Sequence, residues 1–350
     1  MKSTKRPVKN TLFSTGFFIV AAFSLLGCDT QTVAIILDGQ TMGTRYHITI
    51  SSPGDEATRS GLQAEIDSVL TTVNQSFSSY IESSEVSELN RYKGLKAHVK
   101  SAAFLEQIME AKRISELTDG AYDITIGPLV ELWGFGPSFK ADAVPTQEAV
   151  SREKSKVGYQ KIQIDLESRQ VTKGNPELTV DFSSIAKGYG VDQVADLIEA
   201  KGYGDYMVEI GGEMRLKGLN PEGIKWRIAV EKPVVNKRSI QRVINITNIG
   251  MATSGGYRNF FIKEGVQYSH TIDPRTGYPV QHNLASVTVM AEKSMTADAW
   301  ATAFMVLGDK KGYDLAIQNE IAALFLVNDG SGVREVMTPL FKQAIERKTL

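Results

Sequence analysis

Tyr206-Met207-Val208-Glu209-Ile210, Trp226-Arg227-Ile228-Ala229-Val230-Glu231 and Arg242-Val243-Ile244-Asn245-Ile246-Thr247 follow one another with no helical run between them. Each is a short run of apolar and β-branched residues, the length and composition of a strand. Strands that succeed each other directly pair as antiparallel neighbours, whereas a regular βαβ chain would insert a helix after each one. This stretch therefore decides for an α+β fold. Working outward, strand-like runs recur at 33–36, 46–50, 161–166, 178–182, 285–291 and 321–327. Leu62, Ile66, Val69, Leu70, Val73 and Phe77 repeat at helical spacing and predict an amphipathic helix over 60–77. Phe104, Leu105, Ile108 and Met109 predict another over 101–117, and further helices fill 184–200, 295–307 and 310–319. Residues 119–147 are rich in Gly and Pro and read as loop. No repeat or low-complexity tract interrupts the chain, so one compact catalytic unit is expected over 38–345.

The chain opens with Lys2, Lys5, Arg6 and Lys9, then an apolar run from Leu12 to Leu26 broken by Ser14, Thr15, Gly16 and Ser24. A basic start, a short apolar stretch and small residues before a cut form an export signal over 1–27, too short for a spanning helix. Leu25-Leu26-Gly27-Cys28 resembles a bacterial lipobox, which implies cleavage before Cys28, lipid on that cysteine and a tether running to residue 37. An ordinary signal peptide that happens to contain a cysteine is the alternative. Cys28 is the only cysteine, so the mature protein makes no internal disulfide and depends on its core. A diacyl chain with an acylated amine suffices to hold a protein on a bilayer. Asp29 resembles the signal that retains lipoproteins at the inner membrane in enteric-type bacteria, which implies a place on the periplasmic side. The 39 basic and 40 acidic side chains balance, and no basic block follows residue 9, so nucleic-acid binding is disfavoured.

Three stretches carry chemistry. The first, Tyr268-Ser269-His270-Thr271-Ile272-Asp273-Pro274-Arg275-Thr276-Gly277-Tyr278-Pro279, holds one of four histidines in a loop dense with turn formers. Such a loop is either a catalytic platform or a well-formed surface turn. The second, Asp181-Phe182-Ser183-Ser184-Ile185-Ala186-Lys187-Gly188-Tyr189-Gly190, reads as strand, Ser-Ser cap and helix. A helix N-terminus beside Lys187 suits a phosphate, and a capped helix with Lys187 in solvent fits equally. In the third, Asp298 and Thr302 are four apart and share one helix face. Their hard oxygens suit Mg²⁺, although the same pair also serves a helix dipole and a backbone hydrogen bond. The aromatics of Tyr122, Trp133 and Phe135, in the glycine-rich run 120–136, either stack on a planar ring or anchor the core beneath the loop.

Together these stretches resemble the ApbE family of FAD:protein FMN transferases. Thr41-Met42-Gly43-Thr44, Phe77-Ser78-Ser79-Tyr80 with Ser84–Asn90, and the stretches at 120–136, 181–190, 269–279 and 298–304 fall in the family's order across nearly all of the mature chain. The resemblance implies an ApbE-like α+β fold with mixed or antiparallel sheets and packed helices. It also implies an activity: FAD is split at its pyrophosphate, FMN is esterified to a Ser or Thr of a target protein, and AMP leaves. By position it implies that Met42, Tyr80, Ala121, Tyr122, Asp123, Asp181, Lys187 and Ile272 line the FAD site. Asp298, Thr302 and a backbone oxygen of Ser184 would hold Mg²⁺, and His270 would be the general base. The family often has a smaller residue at the Ser184 position, so the serine hydroxyl is a further possible ligand.

Phosphoryl-type transfer needs charge neutralised on the pyrophosphate and a nucleophile in line with the leaving group. Mg²⁺, Lys187 and the helix start would supply the first, and His270 would take the hydroxyl proton. Arg275 either supports the leaving group or pairs with Asp273, and the second is the expectation. The same residues would serve an FAD pyrophosphatase that releases FMN and AMP. A flavin-binding lipoprotein without turnover is a third reading, which leaves His270 and the Asp298/Thr302 pair without purpose. Family analogy implies acceptors among subunits of ion-pumping flavoproteins, such as the sodium-translocating NADH:quinone reductase or related electron-transport complexes.

Overall fold

Eight strands hydrogen-bond side by side in the order Ile35–Thr41, Thr44–Ile50, Tyr206–Ile210, Glu213–Lys217, Ile249–Gly255, Leu284–Ala291, Ala322–Asn328 and Val333–Met337, every neighbouring pair antiparallel. They belong to a computed structural model that describes residues 34–136, 144–234, 239–256, 259–330 and 332–346. The helices are α1 (Glu56–Phe77), α2 (Glu85–Arg91), α3 (Ala102–Leu117), α4 (Gly127–Leu132), α5 (Gln147–Lys154), α6 (Ala186–Ala200), α7 (Ser294–Gln318) and α8 (Pro339–Glu346). All the described residues fall in one compact unit, and the architecture is α+β as expected. The export signal, Cys28 and Asp29 lie outside the described residues. Among the described residues no helix is long and apolar enough to cross a membrane.

The strand period sorts side chains between two cores. Along Ala322–Asn328, Ala323, Phe325 and Val327 join the helical layer with Phe304 and Trp300 of α7, while Leu324 and Leu326 face Trp226, Ile228 and Phe341. The second set comes from the hairpin Trp226–Glu231/Ile240–Ile246 and from α8. Both faces of Leu284–Ala291 are covered, and the strand is buried without a break from Leu284 to Met290. α1 and α6 cover the far end of the sheet through Leu62, Ile66, Leu70, Val191, Val194 and Ile198.

α6 and α7 lock their starts together. Asp192 in α6 accepts from the first amides of α7, Ser294 at 3.0 Å and Met295 at 2.9 Å. Asp298 in α7 accepts from the Gly188 amide in the first turn of α6 at 3.2 Å. Each helix thus supplies the N-terminal acceptor that the other lacks in its own sequence, since neither Ile185 nor Lys293 makes a side-chain cap. The approach is backbone to backbone. A Cβ on Gly188 would lie 2.5 Å from the Ser294 carbonyl oxygen and 2.7 Å from Met295 Cα, and one on Gly250 would lie 2.4 Å from the Ser294 nitrogen. Burial pushes the Asp192 carboxyl up to about 6, with the two amides and Arg215 pulling the other way.

Several sequence expectations shift. The first strand begins at Ile35, so it takes in part of the stretch expected as tether. Residues 178–182 do not join a sheet. Their backbone is held by side chains instead: Asn90 exchanges two hydrogen bonds with Val180 (2.7 and 2.8 Å), and the buried Lys173 ammonium donates to the Leu89, Tyr92, Pro176 and Leu178 carbonyls. The Ser183-Ser184 cap is also absent: Ser184 Oγ donates to the Tyr122 hydroxyl, and Asp298 takes the capping role. The helices expected at 295–307 and 310–319 appear as one element broken at Gly308, whose φ of 79° and ψ of 178° leave the helix.

Gly188 lies inside a helix, where alanine alone would add up to about 1 kcal/mol of stability. The collision with Ser294 and Met295 opposes this, so Gly188→Ala is expected to destabilise by about 1–3 kcal/mol. Urea denaturation reads the sign directly, and an unchanged or raised midpoint would contradict the close approach.

Candidate functional site

The start of α6, the first half of α7, the head of one central strand and the end of another, and three loops converge on a cleft of ≈ 590 Å³. Its walls include Tyr80, Ala121, Tyr122, Asp123, Asp181, Ser184, Lys187, His270, Ile272, Asp298 and Thr302. The sequence-predicted residues are thus brought together from segments far apart in the chain, with one exception. Met42 is not among the walls; its terminal methyl lies 2.8 Å from where a Cβ on Gly190 would stand, and it packs against the helical core.

The electrostatic centre is a group of three. Lys187 Nζ lies 3.1 Å from Glu213 Oε1 and 3.6 Å from Asp298 Oδ2. Asp298 and Glu213 are 2% and 4% exposed. Burial disfavours the Lys187 charge, but the two carboxylates outweigh it and raise the lysine pKa, so the ammonium stays charged. Burial pushes the Glu213 carboxyl up to about 8 against the pull of Lys187, and the Asp298 charge pushes it the same way as burial. Two early amides of α6 are already engaged, Ala186 with the Phe182 carbonyl and Gly188 with Asp298. The helix start therefore offers a phosphate less bare backbone than its sequence implied, and Lys187 is the stronger anion-binding feature.

His270 follows the hairpin Phe260–Lys263/Val266–Ser269 and precedes the short pair Ile272–Asp273/Tyr278–Pro279. Its Nδ1 is 3.0 Å from the Asn259 carbonyl oxygen, which only accepts, so Nδ1 carries the proton and Nε2 is the basic nitrogen of the neutral ring. Phe135 meets the imidazole edge-on at 6.3 Å. Burial lowers the His270 pKa, opposed by the bond to Asn259, and so favours the neutral ring. The turn beside it is braced by several hydrogen bonds. Arg275 grips Asp273 through Nε at 2.9 Å and Nη2 at 2.7 Å, the structural pairing expected. Gly277, at φ 84°, donates to the Asp273 carbonyl, and Trp133 Nε1 donates to the Gly277 carbonyl.

The remaining walls differ in kind. Asp123 is buried and turned to the protein: its carboxylate accepts from the Thr125 amide and hydroxyl and from the Tyr159 amide, and burial raises its pKa. Tyr122 and Trp133, at 2% and 1% exposed, are buried and anchor the core beneath the loop. Tyr80 is the reverse, 80% exposed at the cleft wall and open to a planar partner. Asp181 accepts from the Ser183 amide and donates its own amide to the Ile124 carbonyl, joining two walls. Glu213, Ser254 and Asn259 were not legible as site residues; Gly211-Gly212 before Glu213 is the one signal of a backbone shaped for a purpose.

Among the described residues no three His, Cys, Asp or Glu side chains cluster as a closed metal cage. The cleft wall carries the Asp298 carboxylate and the Thr302 and Ser184 hydroxyls, with Thr302 Oγ1 3.3 Å from Ser254 Oγ. Hard oxygens in this small number fit Mg²⁺, which keeps waters and takes substrate phosphate oxygens to complete its shell. Both contacts of Asp298, to Gly188 and to Lys187, fall on Oδ2.

Residues 42–325 match the ApbE family. The chain is 44% identical over 334 residues to the FAD:protein FMN transferase of Vibrio cholerae, covering 94% of this chain and 99% of that one. It is 42% identical over 340 residues to the FAD:protein FMN transferase of Haemophilus influenzae, covering 95% and 98%. The solved structure of the flavin transferase ApbE from Vibrio cholerae superposes with a TM-score of 0.82, covering 89% of this chain and 99% of that one. Family match, length and fold agree, and the chain belongs to the ApbE family.

Proposed function

We propose that this protein is a Mg²⁺-dependent flavin transferase that cleaves FAD and esterifies FMN to a Ser or Thr of an acceptor protein, releasing AMP. One observation carries the reading: a base with its free nitrogen defined, a fixed ammonium and a hard-oxygen donor set share one cleft. The full-length similarity to proteins named FAD:protein FMN transferase supports the choice of substrate.

His270 Nε2 takes the proton of the acceptor hydroxyl, whose oxygen bonds to the FMN-side phosphorus while the bond to the AMP oxygen breaks. Lys187 lies where it opposes the negative charge of the pyrophosphate, and its two carboxylates fix its place. Asp298, Thr302 and Ser184 would hold Mg²⁺, which supplies charge neutralisation at the phosphate oxygens when bound. Tyr80 offers an exposed ring to a planar group, and Ile272 an apolar wall. The braced turn beside His270 holds the base in place as the acceptor arrives, which is where positioning contributes most to such a reaction.

The lipobox-like Leu25-Leu26-Gly27-Cys28 with Asp29 supports a lipid anchor at Cys28 on the periplasmic side of the inner membrane. That location would put the enzyme beside acceptor subunits of the sodium-translocating NADH:quinone reductase or related electron-transport complexes.

Mass spectrometry of an acceptor domain incubated with the protein, FAD and Mg²⁺ should show the gain of one esterified FMN. Asp298→Ala is expected to abolish the adduct, and so is EDTA; an adduct at the wild-type rate in Asp298→Ala would sink the metal assignment. Release of FMN and AMP with acceptor present and no adduct would instead indicate a pyrophosphatase. The transfer rate should fall with acid through an apparent pKa below the usual histidine value of ~6.5, because burial favours the neutral imidazole. His270→Gln should remove that limb and slow transfer by about 10²–10⁴. A limb that survives the substitution would assign the base elsewhere.

A further inference from the structure

Glu213 is assigned no contact with substrate or metal above, yet it is buried at the head of its strand and lines the cleft. Its Oε1 takes Lys187 Nζ at 3.1 Å, and its Oε2 is buried without a hydrogen-bond partner. The same ammonium stands 3.6 Å from Asp298 Oδ2. One cation is therefore shared between two carboxylates and lies closer to Glu213. A lysine seated fully on Asp298 would compete with a divalent cation for that carboxylate, by charge and by occupancy of its oxygens. A second acceptor that draws the ammonium aside relieves this competition without removing the positive charge from the cleft. The turn before Glu213 fixes its backbone, with Gly211 at φ 62° and Gly212 at φ 107°.

We propose that Glu213 is a positioning residue that keeps Lys187 from pairing fully with Asp298 and so leaves Asp298 open to a divalent cation. It acts through Lys187 and does not itself ligate the metal. This rests on the proposed metal role of Asp298.

The test is calorimetric titration of the full chain with Mg²⁺ alone, in wild type, Glu213→Leu, Glu213→Gln, Lys187→Met and Glu213→Leu/Lys187→Met. Glu213→Leu is expected to weaken Mg²⁺ binding about tenfold, the size typical for removing a group that supports a metal ligand. Glu213→Gln, which keeps an acceptor oxygen for Lys187, should retain most of the affinity. In the Lys187→Met background Glu213→Leu should have no effect, because the cation it restrains is gone. Equal losses with and without Lys187, or a loss in Glu213→Gln as large as in Glu213→Leu, would overturn the proposal in favour of a direct charge or ligand role. No loss at all would also overturn it. If Glu213→Leu does not fold, Glu213→Ala carries the same comparison with no acceptor and less bulk. Wild-type Mg²⁺ binding by Asp298→Ala is a separate result: it would overturn the metal reading itself, and this proposal with it.

Discussion

The mutual capping of α6 and α7 is the constraint on which the site depends. Two helices start beside each other, and neither has a capping side chain of its own. Asp192 closes the start of α7 and Asp298 closes the start of α6. Gly188 and Gly250 admit this contact because any larger residue would collide with the backbone of 293–295. The consequence reaches the chemistry at once. Lys187 is next to Gly188, and Thr302 is one turn beyond Asp298, so the clasp sets the lysine and the oxygen donors at one place. A loop-borne site would need other restraints to reach the same definition.

Asp298 then serves two ends. As a cap it accepts an amide, and beside Lys187 it is half of an ion pair, both through Oδ2. A carboxylate so buried is tolerated because amide and ammonium both stabilise its charge. Glu213 is held less well: burial pushes its pKa up, and one oxygen has no partner. The fold thus carries an excess of acid around one lysine, a local arrangement that a divalent cation would complete. The opposite wall is built from restraint rather than charge. Asn259, Arg275–Asp273 and Trp133 fix the His270 loop by hydrogen bonds, which leaves Nε2 of the imidazole for proton transfer.

Long amphipathic helices and strands buried on one or both faces were legible because their period follows directly from burial: α1, α3, Thr44–Ile50, Leu284–Ala291 and Ala322–Asn328 all appear near their expected bounds. The central strands Glu213–Lys217 and Ile249–Gly255 were not, and the reason is functional. Glu213 is polar because it faces the cleft, and Gly250 is small because Ser294 passes over it, so neither strand looks apolar. Leu178–Phe182 failed in the other direction: it has strand composition, but Asn90 and Lys173 hold its backbone in place of a neighbouring strand. The site followed the same division. His270, Lys187, Asp298 and Thr302 stood out by residue type and spacing with a structural alternative open for each, the family resemblance gave their roles, and the cleft unites them. Met42 was carried by resemblance alone and packs over Gly190, and the Ser-Ser cap gave way to an acceptor more than a hundred residues away, which no local pattern encodes.

Under the proposed function Asp298 caps α6 and binds the metal at the same time. Anomalous X-ray scattering from crystals grown with Mn²⁺ in place of Mg²⁺ tests it most directly. A peak is expected within bonding distance of the Asp298 carboxylate and Thr302, with the Gly188 amide still donating to Oδ2. A peak away from Asp298, or a bound metal that has pulled Oδ2 off Gly188, would contradict it.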